Sequence, residues 1–126
     1  MQRNLQEDLK RKYPALLLTG LDIAVGDGWH AVLDVQLGDL LSEVPIPEGL
    51  IEVTSIRAKD GLCLIEYDAL ADADPDVVQL FDNACSDVWH HSPLVCECCG
   101  RKSGVEGYLR AEPARVRCDE CDACSS

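Results

Sequence analysis

The spacing of hydrophobic and polar positions divides the chain into a few readable stretches. From Gln2 to Tyr13, Leu5 and Leu9 stand four apart in a polar background that ends at Pro14, which predicts a short helix. Its basic finish, Lys10, Arg11 and Lys12, suits the negative end of the helix dipole. With so few apolar positions, this helix is expected to dock only lightly. Leu16 to Val25 is apolar but broken by Gly20 and Asp22 and followed by Gly26, and it fits a loop and a short strand equally.

Asp27 can cap a helix running to about Ser42, because Trp29, Val32, Leu33, Leu37, Leu40 and Leu41 fall on one stripe at helical spacing. Pro45, Pro47 and Gly49 end it. Leu50 to Arg57 and Leu62 to Tyr67 read as strands joined by Ala58-Lys59-Asp60-Gly61, whose Asp-Gly pair is a hairpin signal. Ile51, Val53 and Ile56 in the first strand, with Cys63, Leu64 and Ile65 in the second, put apolar groups on both faces and predict helices on more than one side. After the acidic, alanine-rich stretch from Asp68 to Asp74, Asp74 as N-cap and Pro75 at the first helical position open a helix to about His91. Val77, Val78, Phe81, Ala84, Cys85, Val88 and Trp89 give it a broad buried face, and Ser92-Pro93 stops it.

The expected fold is therefore α+β. Two long amphipathic helices pack on a β-hairpin or small antiparallel sheet over residues 1–92, and a zinc-ribbon module over residues 93–126 packs on that domain. The ribbon rests on cysteine spacing. Six of the eight cysteines fall between Cys96 and Cys124, while Cys63 and Cys85 stand alone. Cys96-Glu97-Cys98-Cys99-Gly100 holds one C-x2-C pair followed by glycine, and Cys118-Asp119-Glu120-Cys121 a second, with 18 residues between the pairs. Two such turns, each aiming two sulfurs inward, complete the tetrahedron that Zn²⁺ prefers. Cys96, Cys99, Cys118 and Cys121 are the expected ligands, with Cys98, Cys124 and His91 as alternatives. An iron–sulfur cluster is the rival reading, since Cys118, Cys121 and Cys124 fit part of a cluster run but lack the usual cysteine followed by proline. Four thiolates leave no open coordination position, so the site predicts folding rather than catalysis.

Composition sharpens the picture through charge. Eleven Lys and Arg against 23 Asp and Glu leave a net charge of -12, which argues against a grip on nucleic-acid phosphates. Residues 1–12 hold four basic and two acidic side chains, residues 13–92 two and fifteen, and residues 93–126 five and six. The acidity thus belongs to the central unit, and Asp34, Asp39, Glu43, Asp82 and Asp87 are the expected partner-binding surface. Asp39 and Glu43 close a helix with no nearby basic residue, a placement the dipole disfavours by about 0.3 to 1 kcal/mol each. The apolar runs are far shorter than a membrane span, and the polar first dozen residues carry no signal core, so cytoplasm is the expected compartment.

No G-x-S-x-G, P-loop, dinucleotide fingerprint or H-E-x-x-H is present, and a non-enzymatic protein is expected. His30 reads as a helix surface residue, and His90 and His91 as complements to a helix C-terminus. The favoured partner is a basic protein. The alternative is a nucleic-acid or transcription-associated ribbon, using Arg101, Lys102, Arg110, Arg115 and Arg117 with Tyr108 as a stacking surface.

In Gly26 to Trp29, Lys59 with Gly61, Ser92, the Cys96–Cys99–Gly100 knuckle and the Cys118–Cys121 pair, the chain resembles a group of small uncharacterised proteins from bacterial genomes and prophages. It departs from them at Asp60, where an aromatic is usual, and at Leu64 to Glu66, where an Arg-aromatic pair is usual. The resemblance implies the architecture and a mobile-element setting, and carries no activity with it. In such a setting, the basic partners to expect are nucleic-acid-handling host proteins, including CRISPR effectors and other defence nucleases, with DNA mimicry as one route to an anti-CRISPR-like inhibitor.

Overall fold

A computed structural model describes residues 1–102, 107–110, 115–118 and 120–121. The elements run α1 (Arg3–Lys12), β1 (Ile23–Ala24), α2 (His30–Glu43), β2 (Ile51–Lys59), β3 (Leu62–Ala69), α3 (Pro75–His91), β4 (Leu109–Arg110) and β5 (Arg115–Val116). Among the described residues the fold is α+β, with three α-helices, a three-stranded sheet of order β1-β2-β3 and a two-stranded β4-β5 ladder.

The hairpin is tighter than expected. Strand β2 continues to Lys59 and pairs it with Leu62, leaving a two-residue turn in which Asp60 and Gly61 both take positive φ, 53° and 82°. That is the conformation for which Asp-Gly is suited. A bulge between Val53 and Ser55 shifts the register. Ile51, Val53, Ile56, Cys63 and Ile65 are buried, while Glu52, Thr54 and Glu66 are exposed. The sheet therefore has one covered face, with Leu62 and Leu64 half-buried, and the expectation of helices on both sides is corrected. Helix α3 packs on β3, where Phe81 meets Tyr67 edge-to-face with ring centroids 4.7 Å apart.

The undecided stretch from Leu16 to Val25 resolves into both alternatives. Leu16 and Leu17 are buried in a turn closed by their N–H groups on the Tyr13 carbonyl. Ile23 and Ala24 form a short strand parallel to β2, Ile23 opposite Ile56, so the sheet is mixed rather than purely antiparallel.

Helix α1 is also held more firmly than its thin stripe predicts. Leu9 is fully buried, and polar ties surround it. The Gln2 N–H donates to Asp27 Oδ1 at 2.7 Å, the Ile23 N–H to Gln6 Oε1 at 3.0 Å, and His30 Nε2 lies 2.9 Å from Asp8 Oδ2. On the far side Lys12 and the Tyr13 hydroxyl both reach Asp34, at 3.0 and 2.6 Å. Asp27 thus serves the N-terminus of α1 instead of capping α2, which is entered through a 3-10 turn over Asp27–Trp29 with no side-chain cap. The capping predicted for α3 does form, Asp74 accepting from the Asp76 N–H at 2.9 Å.

One buried node joins the layers. Trp29 Nε1 donates to the carbonyls of Ser92 and Val95 at 3.1 and 2.9 Å. Ser92, the one buried polar residue among those described, donates its hydroxyl to the Trp89 carbonyl and accepts from the Cys63 N–H at 3.1 Å. The start of α2, the end of α3, β3 and the entry to the cysteine region meet there. Val95 and Val116, from either side of the ribbon, sit in the same core cluster as Trp29 and Phe81.

Ser92→Ala strands the buried Cys63 N–H and should cost about 1 to 3 kcal/mol, read as a lower urea midpoint at unchanged slope. Acid should loosen α1. Burial works against ionisation of Asp34, but hydrogen bonds from Tyr13 and Lys12 hold its carboxyl below the usual aspartate value of 3.8. A depressed folded-state pKa stabilises fully above the unfolded value and is lost as pH falls through the folded one. The urea-midpoint gap between wild type and Asp34→Asn should hold from about pH 7 to about pH 5 and shrink below about pH 4.

Candidate metal centre

The knuckle is built by backbone hydrogen bonds. Cys96 N–H donates to the Arg101 carbonyl at 2.9 Å and Gly100 N–H to the Cys96 carbonyl at 3.0 Å. Gly100 takes φ +78°, the left-handed turn that its lack of Cβ permits. A bridge between Val95 and Lys102 closes the loop. The second cysteine pair follows the β4–β5 ladder, in which Leu109 faces Val116, and is tied to the knuckle by Glu97 N–H to the Val116 carbonyl at 2.8 Å. An ion pair from Arg117 Nε to Glu97 Oε1 at 3.2 Å reinforces that seam.

These elements bring Cys96, Cys99, Cys118 and Cys121 together, with their sulfurs all within 4.8 Å of one another. Cys99 Sγ lies 3.7 Å from Cys118 Sγ, matching the edge of about 3.8 Å in a tetrahedron of 2.3 Å metal–sulfur bonds. The four cysteines can therefore hold a metal ion. Sulfurs this close suit a single ion, whereas an iron–sulfur cluster spreads its thiolates over several irons. Cys96 and Cys118 are buried, Cys121 half-buried and Cys99 exposed, so one side of the site backs on the core and the other meets solvent.

Burial opposes ionisation of Cys96, yet backbone hydrogen bonds from Cys118, Cys99 and Cys98 bring its thiol down to about 6. Cys121 is pushed the other way by its hydrogen bonds with Cys118, Cys99 and Cys96. Four sulfurs in one small volume cannot all shed their protons against each other's charge, and a divalent cation removes that penalty by taking the protons' place. Away from the site, burial pushes the Cys63 thiol up to about 12 and the Cys85 thiol likewise, so both behave as packed apolar groups.

Of the alternative ligands, Cys98 is exposed and outside the cluster. His91 hydrogen-bonds the Asp87 carbonyl through Nδ1 at 2.7 Å, and Cys124 lies outside the described residues. The five acidic positions divide among three places. Asp34 is engaged by Lys12 and Tyr13, Asp82 accepts from the Tyr67 hydroxyl at 3.1 Å, and Asp39, Glu43 and Asp87 line one trough between α2 and α3.

Periodicity gave no hint of what supports the knuckle from behind. The Gly28 N–H donates to the Glu97 carbonyl at 2.8 Å. A Cβ on Gly26 would come within 2.0 Å of the Glu97 carbonyl oxygen, and one on Gly28 within 2.0 Å of the Cys96 oxygen. The glycines on either side of Asp27, Gly26 and Gly28, are needed for this close backbone approach. No known protein family, curated protein or solved structure matches the chain. No helix among the described residues is long and apolar enough to cross a membrane.

Gly28→Ala should displace the knuckle, with a loss of about 1 to 3 kcal/mol as in other overpacked sites and weaker metal retention in a chelator competition. Gly20→Ala, where a Cβ meets nothing within 4 Å, should leave both quantities unchanged.

Proposed function

We propose that the protein is a non-enzymatic zinc-binding interaction protein, encoded by a phage or other mobile element, whose acidic surface engages a basic partner. The observation that carries the metal half is the clustering of four cysteine sulfurs within 4.8 Å. An all-sulfur, four-donor set is the chemistry of structural Zn²⁺, and it leaves no position for a reacting water. Cys96, Cys99, Cys118 and Cys121 hold the ion, and its binding energy is spent on ordering the ribbon against the domain.

The partner half rests on charge. Fifteen acidic residues fall between residues 13 and 92, and Asp39, Glu43 and Asp87 make no ion pair among the described residues while sharing one trough. A basic protein surface is the complement, and opposite charge speeds its association. Host proteins that handle nucleic acid, CRISPR effectors and other defence nucleases among them, carry such surfaces, and occupying one blocks its nucleic acid. The competing reading, a ribbon that binds nucleic acid itself, is weakened because Arg101 is paired with Glu120 at 3.1 Å and Arg117 with Glu97.

Purified protein should contain one zinc per chain, and Cys118→Ser should lose it, both read by elemental analysis. Immobilised protein should retain nucleic-acid-handling proteins from a bacterial lysate and release them as salt rises. Absence of zinc overturns the metal assignment. Retention of DNA or RNA, with no salt-sensitive protein, overturns the partner assignment in favour of the ribbon reading.

A further inference from the structure

Two neighbouring recesses form a groove along the outer seam of helices α2 and α3. At one end is a mainly apolar recess of about 160 Å³ lined by Ala31, Val32, Val35 and Val95, with His91 and Lys102 also contributing to its lining. At the other is a trough of about 230 Å³ walled by Asp39, Glu43 and Asp87 and floored by Leu40, Leu80 and Ala84. Gln36 lines both, so the two recesses are neighbours on this seam. Ala31 to Glu43 covers twelve helical steps, about 18 Å at 1.5 Å per residue.

The walls have opposite characters. Val35 is 55% exposed, an apolar side chain left in water beside a buried floor of Val32 and Val95. The three carboxylates one to two turns further along have no ion-pair partner among the described residues, and Asp39 and Glu43 repel each other at i,i+4. An apolar anchor site followed by an unneutralised acidic wall complements a helix with apolar residues on one face at i, i+3 and i+4 and Lys or Arg about two turns away.

We infer that this groove is the docking site for a basic amphipathic helix of a partner protein, about four turns long, whose apolar end fills the recess at Val35 and whose basic end pairs with Asp39, Glu43 and Asp87. The inference rests on the basic-partner reading above and assigns it a place. It also separates this trio from Asp34 and Asp82, which serve contacts within the fold.

The test uses the zinc-loaded full chain and two labelled synthetic peptides of 16 residues made only of Leu and Lys, one in helical amphipathic order and one scrambled, followed by fluorescence anisotropy. The patterned peptide should bind at least tenfold more tightly than the scrambled one. Asp39→Lys with Asp87→Lys should weaken it at least tenfold, while Glu52→Lys, a charge reversal on the exposed sheet face, should change it less than twofold. Val35→Glu is the decisive variant, because it adds a negative charge. Association driven by charge alone would tighten, whereas loss of the apolar anchor weakens binding despite the added attraction. Equal weakening by all the lysine variants with no loss for Val35→Glu overturns the groove and leaves a diffuse acidic surface, and the basic-partner reading, standing. Failure of both peptides to bind at low salt overturns both. Concentration-dependent dimerisation abolished by Val35→Glu assigns the groove to a second copy of the chain and overturns the inference as stated.

Discussion

Two α-carbons, those of Gly26 and Gly28, lie directly against the carbonyl groups of Glu97 and Cys96, with no room for a side chain at either. Because the approach is that close, the Gly28 N–H can satisfy the Glu97 carbonyl, and the next residue, Trp29, enters the core at a height where its indole N–H meets Ser92 and Val95. From that point the other layers follow. Ser92 pins β3 through the Cys63 N–H, and α2 leaves the turn with Val32, Leu33, Leu37 and Leu40 facing inward. The carbonyls on the back of the cysteine knuckle would otherwise be buried acceptors, and leaving such groups unpaired is costly. The glycine turn supplies a donor to one of them.

The same seam explains how a ribbon too small to have its own core stays in place. Its inner sulfurs, Cys96 and Cys118, are buried together with Val95 and Val116, while Cys99 is exposed. The outer half of the site depends on the sulfurs being held to one another, the inner half on hydrophobic packing. Hydrogen bonds from backbone N–H groups lower the Cys96 thiol, and the electrostatic cost then falls on the sulfurs that follow. A cation with a preference for four sulfurs would resolve that conflict and fasten the knuckle to the β4–β5 ladder in the same act. Cys63 and Cys85, whose thiols burial keeps protonated, take no part.

Acidity has two uses in this chain. Near α1, Lys12 pairs with Asp34 and His30 with Asp8, joining α1 to α2, while Arg11 and Lys12 also pair with Asp8 within α1 itself. Between α2 and α3, Asp39, Glu43 and Asp87 are brought together at the end of a helix with no basic residue in its last turn. Pairs of the first kind contribute little each where exposed, and two of them join α1 to α2 beside one buried leucine. The second kind is a local cost to the fold, which complementary charge on a partner would offset.

The sequence by itself determined the local elements and the donor set. Stripes at helical spacing located α2 and α3 within a residue or two, Asp74-Pro75 marked where α3 begins, Asp60-Gly61 fixed the hairpin turn, and two C-x2-C pairs identified the four sulfurs, because each of these signals is carried by residues close together in the chain. Tertiary structure decided what local spacing cannot encode. Ile23 and Ala24 become a strand only because β2 offers a parallel edge opposite Ile56 and Arg57. Asp27 turns to the Gln2 N–H rather than to its own helix because the start of α1 lies within 2.7 Å. The need for Gly26 and Gly28 exists only once a knuckle 70 residues later packs against them. Which carboxylates are spent inside the fold and which line a groove likewise depends on the packing of α1 and α3 against α2, since charge counted along a sequence has no direction until the helices that carry it are placed.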